Sequence, residues 1–165
     1  MDVPEFGIKR ENETWVSGGC GIVFDPKSQR YAVGKEEGGK LRLFSGGVPE
    51  NENIKDGVLR EVIEESGLHD FEYVEKIAEA TVHYYNSLKN SNRGGPATCF
   101  LVILKSSNLV PTKLETHEKF KLEWATAKEI LENWESRNEN QDYNHWIYFF
   151  NKALDRATQL GYVKI

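Results

Sequence analysis

The stretch "SGGVPENENIKDGVLREVIEESGL", Ser45 to Leu68, packs three glutamates, Glu61, Glu64 and Glu65, beside an arginine and closes on a glycine and a leucine. Advancing about 100° per residue along a helix puts Val58, Leu59, Val62 and Ile63 in one apolar sector. The same rotation gathers Glu61, Glu64 and Glu65 in a second, solvent-facing sector. A Glu-rich helix face is most often simply solvated. Here the acids stand at i, i+3 and i+4, where like charges repel unless a cation neutralises them. Carboxylate oxygens are the ligands that hard divalent cations prefer, and magnesium typically combines a few of them with water and substrate phosphates. The glycine pair Gly46 and Gly47 lets the backbone approach a ligand closely and turn a carbonyl toward the same ions.

Outward from this stretch the chain reads as strands and helices in a mixed order. "KLRLF" (Lys40 to Phe44) alternates as a half-buried strand and delivers the chain into the glycine pair. The helix is expected from about Asn53 to Ser66, with Gly67 supplying a left-handed stop. Upstream, Thr14 to Asp25 reads as one strand and Arg30 to Val33 as its hairpin partner across the turn residues Asp25 to Ser28. Downstream, Phe71 to Tyr85 and Ala97 to Lys105 read as two long strands joined by the polar loop "NSLKNSNRGGP". "FKLEW" (Phe120 to Trp124) is a short strand and "AKEILENW" a short helix. A final helix, Asp142 to Leu160, carries Trp146, Phe149, Phe150, Ala153, Leu154 and Ala157 on one stripe. Nothing repeats internally.

Composition narrows the class. A chain of 165 residues with 39% hydrophobic and 28% charged residues suits one soluble domain with a real core. No apolar run is long enough to span a bilayer and the N-terminus lacks the apolar heart of a secretory signal, so a cytoplasmic location and no membrane partner are expected. A net charge of −5 stands against stable nucleic-acid binding. Cys20 and Cys99 lie in apolar segments outside any C-x-x-C pairing and read as reduced core residues. His69, His83, His117 and His145 are scattered without metal-ligand spacing. His83, on a strand beside two tyrosines, is the one to follow.

With Gly46, Glu52, Arg60, Glu61, Val62, Glu64, Glu65, Gly67 and Leu68, the stretch resembles the signature box of the Nudix hydrolases: G, five residues, E, seven residues, then R-E-U-x-E-E-x-G-U, where U is bulky and apolar. The resemblance extends to the strand order on either side. It implies an α/β (α+β) fold, a Nudix-type αβα sandwich with a mixed sheet, over residues 1–165 as a single domain. Residues 141–160 would be an extra C-terminal helix, packed on that domain or at the interface of a homodimer. By the same resemblance Glu61, Glu64 and Glu65 bind metal and activate water, a backbone carbonyl at Ser45 or Gly46 completes the shell, Arg60 holds the acids in place, and Glu52 pairs with Arg60. A further carboxylate from outside the box is implied. In "THEKFKLEW" Glu118 is the first candidate, with Glu115 and Glu123 as rivals. The implied cofactor is Mg2+, with Mn2+ as an alternative.

The implied reaction is hydrolysis of the diphosphate linkage in a nucleoside diphosphate derivative, with Glu61 or Glu118 accepting the proton of the attacking water. No protein nucleophile is needed, in keeping with the lack of a Ser-His-Asp or Cys-His pattern. Tyr84 and Tyr85 follow the box at the spacing where diadenosine polyphosphate hydrolases of the family carry a tyrosine, which tilts the substrate toward that small-molecule class. Only one of the two can face a pocket, since neighbours on a strand point to opposite faces. Lys89 and Arg93 in the following loop suit terminal phosphates, and Gly47 suits close approach of substrate. ADP-ribose or nucleotide-sugar pyrophosphatase activity is the alternative within the family. A non-catalytic nucleotide- or RNA-binding module is the alternative outside catalysis, against which the intact glutamate set stands.

Overall fold

A computed structural model of the chain describes residues 3–86 and 89–164. Its strands, among the described residues, form one mixed sheet in the order β1-β7-β8-β3-β4-β5, with β2 added to β8, β6 to β3 and β9 to β4. The strands are β1 (Glu5–Phe6), β2 (Thr14–Trp15), β3 (Gly18–Asp25), β4 (Arg30–Glu36), β5 (Leu41–Arg42), β6 (Phe44–Gly47), β7 (Phe71–Asn86), β8 (Ser91–Leu104) and β9 (Phe120–Ala125). Among the described residues three helices complete the fold: α1 (Ile54–Ser66), α2 (Ala127–Glu135) and α3 (Asn144–Gln159).

At the centre β3 and β8 run parallel, Gly18 to Phe24 against Ala97 to Ile103. Strands covered on both faces read as nearly continuous apolar runs, as "CGIVF" and "CFLVIL" do. One face packs Val23, Phe44, Val58, Val62, Val102 and Phe120 beneath α1. The other packs Ile22, Tyr31, Leu101, Trp134, Phe149 and Phe150 beneath α2 and α3. The result is the expected αβα sandwich. Cys20 and Cys99 pair in register across the two central strands as free, buried thiols.

Local chemistry sets the helix limits. Asn53 caps α1 by accepting the N–H groups of Lys55 and Asp56 at 3.0 and 3.3 Å. Gly67 ends it at φ 82°, donating its N–H to Ile63 O, a conformation that a side chain would disfavour. Thr126 and Glu129 form a reciprocal capping box on α2. Trp134 then reaches across the layer, its indole Nε1–H donating to Leu41 O at 2.7 Å.

Several strand limits differ from the sequence reading: β4 runs on to Glu36, and the segment read as one strand from Lys40 to Phe44 is two, β5 and β6, the second carrying the glycine pair. Thr14 to Asp25 is likewise two strands, β2 and β3, which lie along β8 in one register and are interrupted at Val16 and Ser17. Most of the polar segment read as a loop is strand: β8 begins at Ser91 and pairs with β7 through Asn86. Polar composition suggested a loop, but main-chain hydrogen bonding to β7 does not depend on side-chain polarity. Ser87 and Leu88, within that reading, lie outside the described residues. Strand β1, held parallel to β7 by Glu5↔Thr81 and Phe6↔Val82, had no legible pattern. Among the described residues no helix is long and apolar enough to cross a membrane.

Helix α3 buries Phe149, Phe150, Ala153 and Ala157 against the sheet, and Phe150 meets both Tyr31 and Trp134 ring to ring. Phe150→Ala should therefore lower the unfolding free energy by about 3–5 kcal/mol, measured by denaturant titration. A chain truncated after Asn140 should fail to give a cooperative transition; one that melts like the full chain would show that α3 does not contribute to the core.

Candidate metal and active site

The box begins on β6, whose pairing with β3 sets Ser45 opposite Cys20 and Gly46 opposite Gly19. This pairing sets the glycine pair, on β6 itself, against α1. A Cβ on Gly46 would lie 2.5 Å from the Glu61 carboxyl carbon, which would have to shift, so glycine suits that approach. Ser45 donates its N–H to Glu65 Oε1 at 2.9 Å, which ties the helix to β6.

Arg60 ties the acids to one another. Its Nε and Nη2 donate to the two oxygens of Glu52, each at 2.9 Å, in a fork-to-fork pair. Nη1 reaches Glu61 Oε1 at 3.1 Å and Glu64 Oε2 at 3.3 Å. Glu52 is accordingly held below the usual carboxylate range by this guanidinium, and Arg60 is held protonated chiefly by Glu52.

The three box glutamates do not share one environment. Glu64 stays at the rim, held by Arg60. Glu65 is 2% exposed, which corrects the reading of all three as solvent-facing. The helical wheel placed it beside Glu64, but β6 and the segment carrying Glu118 close over it. The apolar sector divides too: Val58 and Val62 are fully buried, whereas Leu59 and Ile63 line an open cleft of about 630 Å³ with Arg60, Val110 and Lys113. That cleft exists because the segment after β8 folds back, Lys113 N–H donating to Glu64 O at 2.7 Å.

Glu118 joins from outside the box. Glu61, Glu65 and Glu118 each offer a carboxylate oxygen within 4.8 Å of the others. The backbone prepares Glu118 for this: its N–H donates to Glu115 O, and its Oε1 accepts the Glu115 N–H at 3.0 Å. The rivals lie apart. Glu115 is exposed and paired with His117, and Glu123 is exposed on β9.

Electrostatics marks this cluster as incomplete. Burial, then sharing with Glu118, pushes the Glu65 carboxyl up to about 10. Its Oε2 is buried without a hydrogen-bond donor. The neighbouring group is another carboxylate, and two carboxylates can face each other only by sharing a proton or a cation. Burial also raises Glu61, with Glu64 and Glu118 adding to the rise against the opposing pull of Arg60. Burial acts upward on Glu118 as well, but the proton shared from Glu65, the Glu115 N–H and the Arg42 charge hold it below its ordinary value. Oxygen-only donors with one orphaned oxygen fit a hard divalent cation.

Arg42 is the site residue that sequence reading missed. Its guanidinium lies 4.4 Å over the Phe120 ring and its Nε is buried without an acceptor. Its positive charge pulls downward on Glu65, against the net rise that burial imposes there, and adds to the lowering of Glu118. A lone polar residue in "KLRLF" looks like ordinary alternation; only the pairing of β4 with both β5 and β9 brings it to Phe120.

The remaining candidates are not gathered here. Tyr84 packs on the α3-side core, while Tyr85 is 46% exposed with its hydroxyl bonded to Asn90. Lys89 is exposed at the hairpin end and Arg93 Nε bonds Ser91 Oγ at 3.4 Å. Gly47 is exposed at the end of β6, facing Gly18. His145 is partly buried against Trp146 and Phe149, and desolvation there, with the Lys40 charge, brings it down to about 4.

Solved structures share this fold. One is a protein from Listeria monocytogenes described as a Nudix hydrolase, 19% identical, covering 90% of this chain and 97% of its own, at a TM-score of 0.62. A second is the MutT protein from Methanosarcina mazei, 16% identical, with 91% and 99% covered and a TM-score of 0.58. A third is the Nudix domain of Shewanella oneidensis NrtR complexed with ADP ribose, 13% identical, with 73% and 78% covered and a TM-score of 0.55. No curated protein matches the sequence. The family model for the NUDIX domain matches residues 20–147, which take in the whole box, the sheet that presents it and the segment that returns Glu118, and so the chain belongs to the Nudix hydrolase family.

Proposed function

We propose that this protein hydrolyses the diphosphate linkage of a nucleoside diphosphate derivative with the help of a divalent cation. The observation that carries this reading is the convergence of Glu61, Glu65 and Glu118 around a buried carboxylate oxygen that has no donor. Those three residues would hold the ion, with Glu64 and a carbonyl at Ser45 or Gly46 as further ligands. Magnesium or manganese, when bound, neutralises a diphosphate and makes water acidic enough to attack phosphorus.

The chain's own groups have separable tasks. Arg60 fixes the directions of Glu52, Glu61 and Glu64 through four hydrogen bonds. Glu61 is the more basic of the two candidate proton acceptors, because burial raises it while Glu118 is lowered. Arg42 supplies a fixed positive charge beside the cluster, and its packing on Phe120 limits its movement. The complete acid set favours hydrolysis over a module that only binds nucleotide or RNA.

Within this chemistry we favour diadenosine polyphosphates as substrates, with Tyr85 as the ring available to an adenine, since Tyr84 is committed to the core. ADP-ribose is the rival, because a structural neighbour is complexed with it. Nucleotide sugars are the third class to be assayed.

In metal-free protein Glu65→Gln should leave the thermal midpoint unchanged or raise it, because burial already disfavours the ionised carboxyl and the amide keeps its shape. The same substitution should abolish the stabilisation that Mg2+ or Mn2+ adds to the unaltered protein, read by calorimetry. Retained stabilisation would remove Glu65 from the ligand set.

Glu61→Gln should lower kcat by about 10²–10⁴-fold with the fold intact, and a chelator should abolish turnover without melting the protein. Turnover that survives excess chelator would overturn the reading. For specificity, Tyr85→Ala should raise KM for diadenosine polyphosphates by roughly tenfold, corresponding to about 1–3 kcal/mol of lost stacking, whereas Tyr84→Ala should lower stability instead. A parent enzyme that prefers ADP-ribose in a panel with nucleotide sugars would remove the substrate assignment and leave the reaction class.

A further inference from the structure

We propose that His83 is a proton-dependent clasp that seats the N-terminal segment on the β7–β8 hairpin and thereby positions the loop of the Nudix box. His83 is 3% exposed and stands apart from the acids around Glu61. Its two ring nitrogens face two different carboxylates. Nδ1 lies 2.9 and 3.0 Å from the oxygens of Glu13, and Nε2 lies 2.5 Å from Glu5 Oε2.

Hydrogen-bond bookkeeping decides the state of the ring. An ionised carboxylate only accepts, and a neutral imidazole has a single N–H. Two carboxylates on opposite nitrogens therefore require the imidazolium. A neutral ring would aim a lone pair at one of the two carboxylates. The electrostatic balance agrees: burial pulls His83 down, but hydrogen bonds and charge from Glu5 and Glu13 more than offset it, and the ring is raised above 6.5.

The two acids come from separate parts of the segment. Glu5 is on β1, which lies along β7, and Glu13 directly precedes β2, which lies along β8 through Thr14↔Arg93 and Trp15↔Gly94. Gly94 between them has no side chain; a Cβ there would be 2.9 Å from Glu13 Oε1 and 3.1 Å from His83 Nδ1. Burial acts upward on Glu13, but the Arg10 N–H at 3.2 Å, His83 and the Lys9 charge hold its carboxyl below the ordinary range. The charged groups that face the ring or its partners are thus Glu5 from β1 and Glu13, Lys9 and Arg10 from the segment before β2. Strand β8 presents only Gly94 at this level. Thr81 and Tyr85, two residues away on the same side of β7, bring neither a carboxylate nor a basic group to the ring.

From Glu13 the chain leads directly to the box. Val16 donates its N–H to Gly94 O at 2.8 Å, and Ser17 O accepts the Val48 N–H at 3.0 Å. Ser17, Gly18 and Val48 then line a cleft of about 270 Å³ together with Glu52. Seating Glu13 therefore fixes the strand on which the box loop hangs. Since the ring is raised when seated, the clasp is fully formed below 6.5 and is lost as pH climbs through the raised midpoint.

The test uses the full chain labelled with 15N, and no substrate, so that its outcome is independent of the catalytic reading. Ring 15N shifts should show both His83 nitrogens protonated below the midpoint. After correction for the intrinsic pH dependence of exchange, protection of the Val16 and Val48 amides should fall together across it, by about tenfold for each unit separating the seated and free titrations. In His83→Gln both amides should keep a pH-independent protection. Glu13→Gln retains the shape and removes one charge, so it should move the His83 midpoint and the loss of protection downward together, which keeps the test decisive if His83→Gln does not fold. A neutral ring at low pH, or protection in the unaltered chain that ignores the His83 titration, would overturn the proposal.

Discussion

Three carboxylates confined within 4.8 Å of one another repel, and the fold around Glu61, Glu65 and Glu118 is arranged to hold them there. Helix α1 supplies two, the segment before β9 supplies the third, and three donors on separate elements restrain them: Arg60 on Glu61, the Ser45 N–H on Glu65, and the Glu115 N–H on Glu118. None of these neutralises the buried Oε2 of Glu65. Burial and the sharing with Glu118 push the Glu65 carboxyl up to about 10, so a shared proton relieves the repulsion, and a cation entering the cluster would have to displace it.

The two faces of the sheet divide the work. The α2 and α3 side is filled with large rings, among them Trp134, Phe149 and Phe150, and supplies cohesion. The α1 side packs valines with Phe44, Phe100 and Phe120, and has glycines where β3 and β6 pass beneath the helix, so α1 sits close to the backbone that carries Ser45 and Gly46. Arg42 and Phe120 close the edge of that side.

His83 meets the same problem of buried acidity with the opposite solution. Around Glu65 no donor among the described residues reaches Oε2. Around Glu13 and Glu5 the positive charge is supplied by a ring of the chain itself, and that ring carries charge only while protonated. Both arrangements depend on donors that are fixed before the charge arrives, which is why neither could be read from the acids alone.

The sequence by itself determined the helix that carries Glu61, Glu64 and Glu65, with its start near Asn53 and its Gly67 stop, whereas the partnership of Arg60 with Glu52 came from the resemblance to the family's box and the glycine pair, read as a loop, lies on β6. The helix and its ends are local: helical period, capping and i, i+4 spacing act over one or two turns and need no knowledge of distant chain. The central apolar strands were legible for a related reason, since burial on both faces leaves a continuous hydrophobic run. Only the tertiary structure decided that Glu65 is buried while Glu64 stays at the rim, that Glu118 and not Glu115 or Glu123 approaches, that Arg42 belongs to the site, that Tyr84 is committed to the core, and that His83 receives two acids from the N-terminal segment. Each of these depends on strand pairing between residues far apart in the chain. Pairing is made by main-chain groups that every residue carries, so the side chains it brings together leave no spacing in the sequence by which to foresee the meeting.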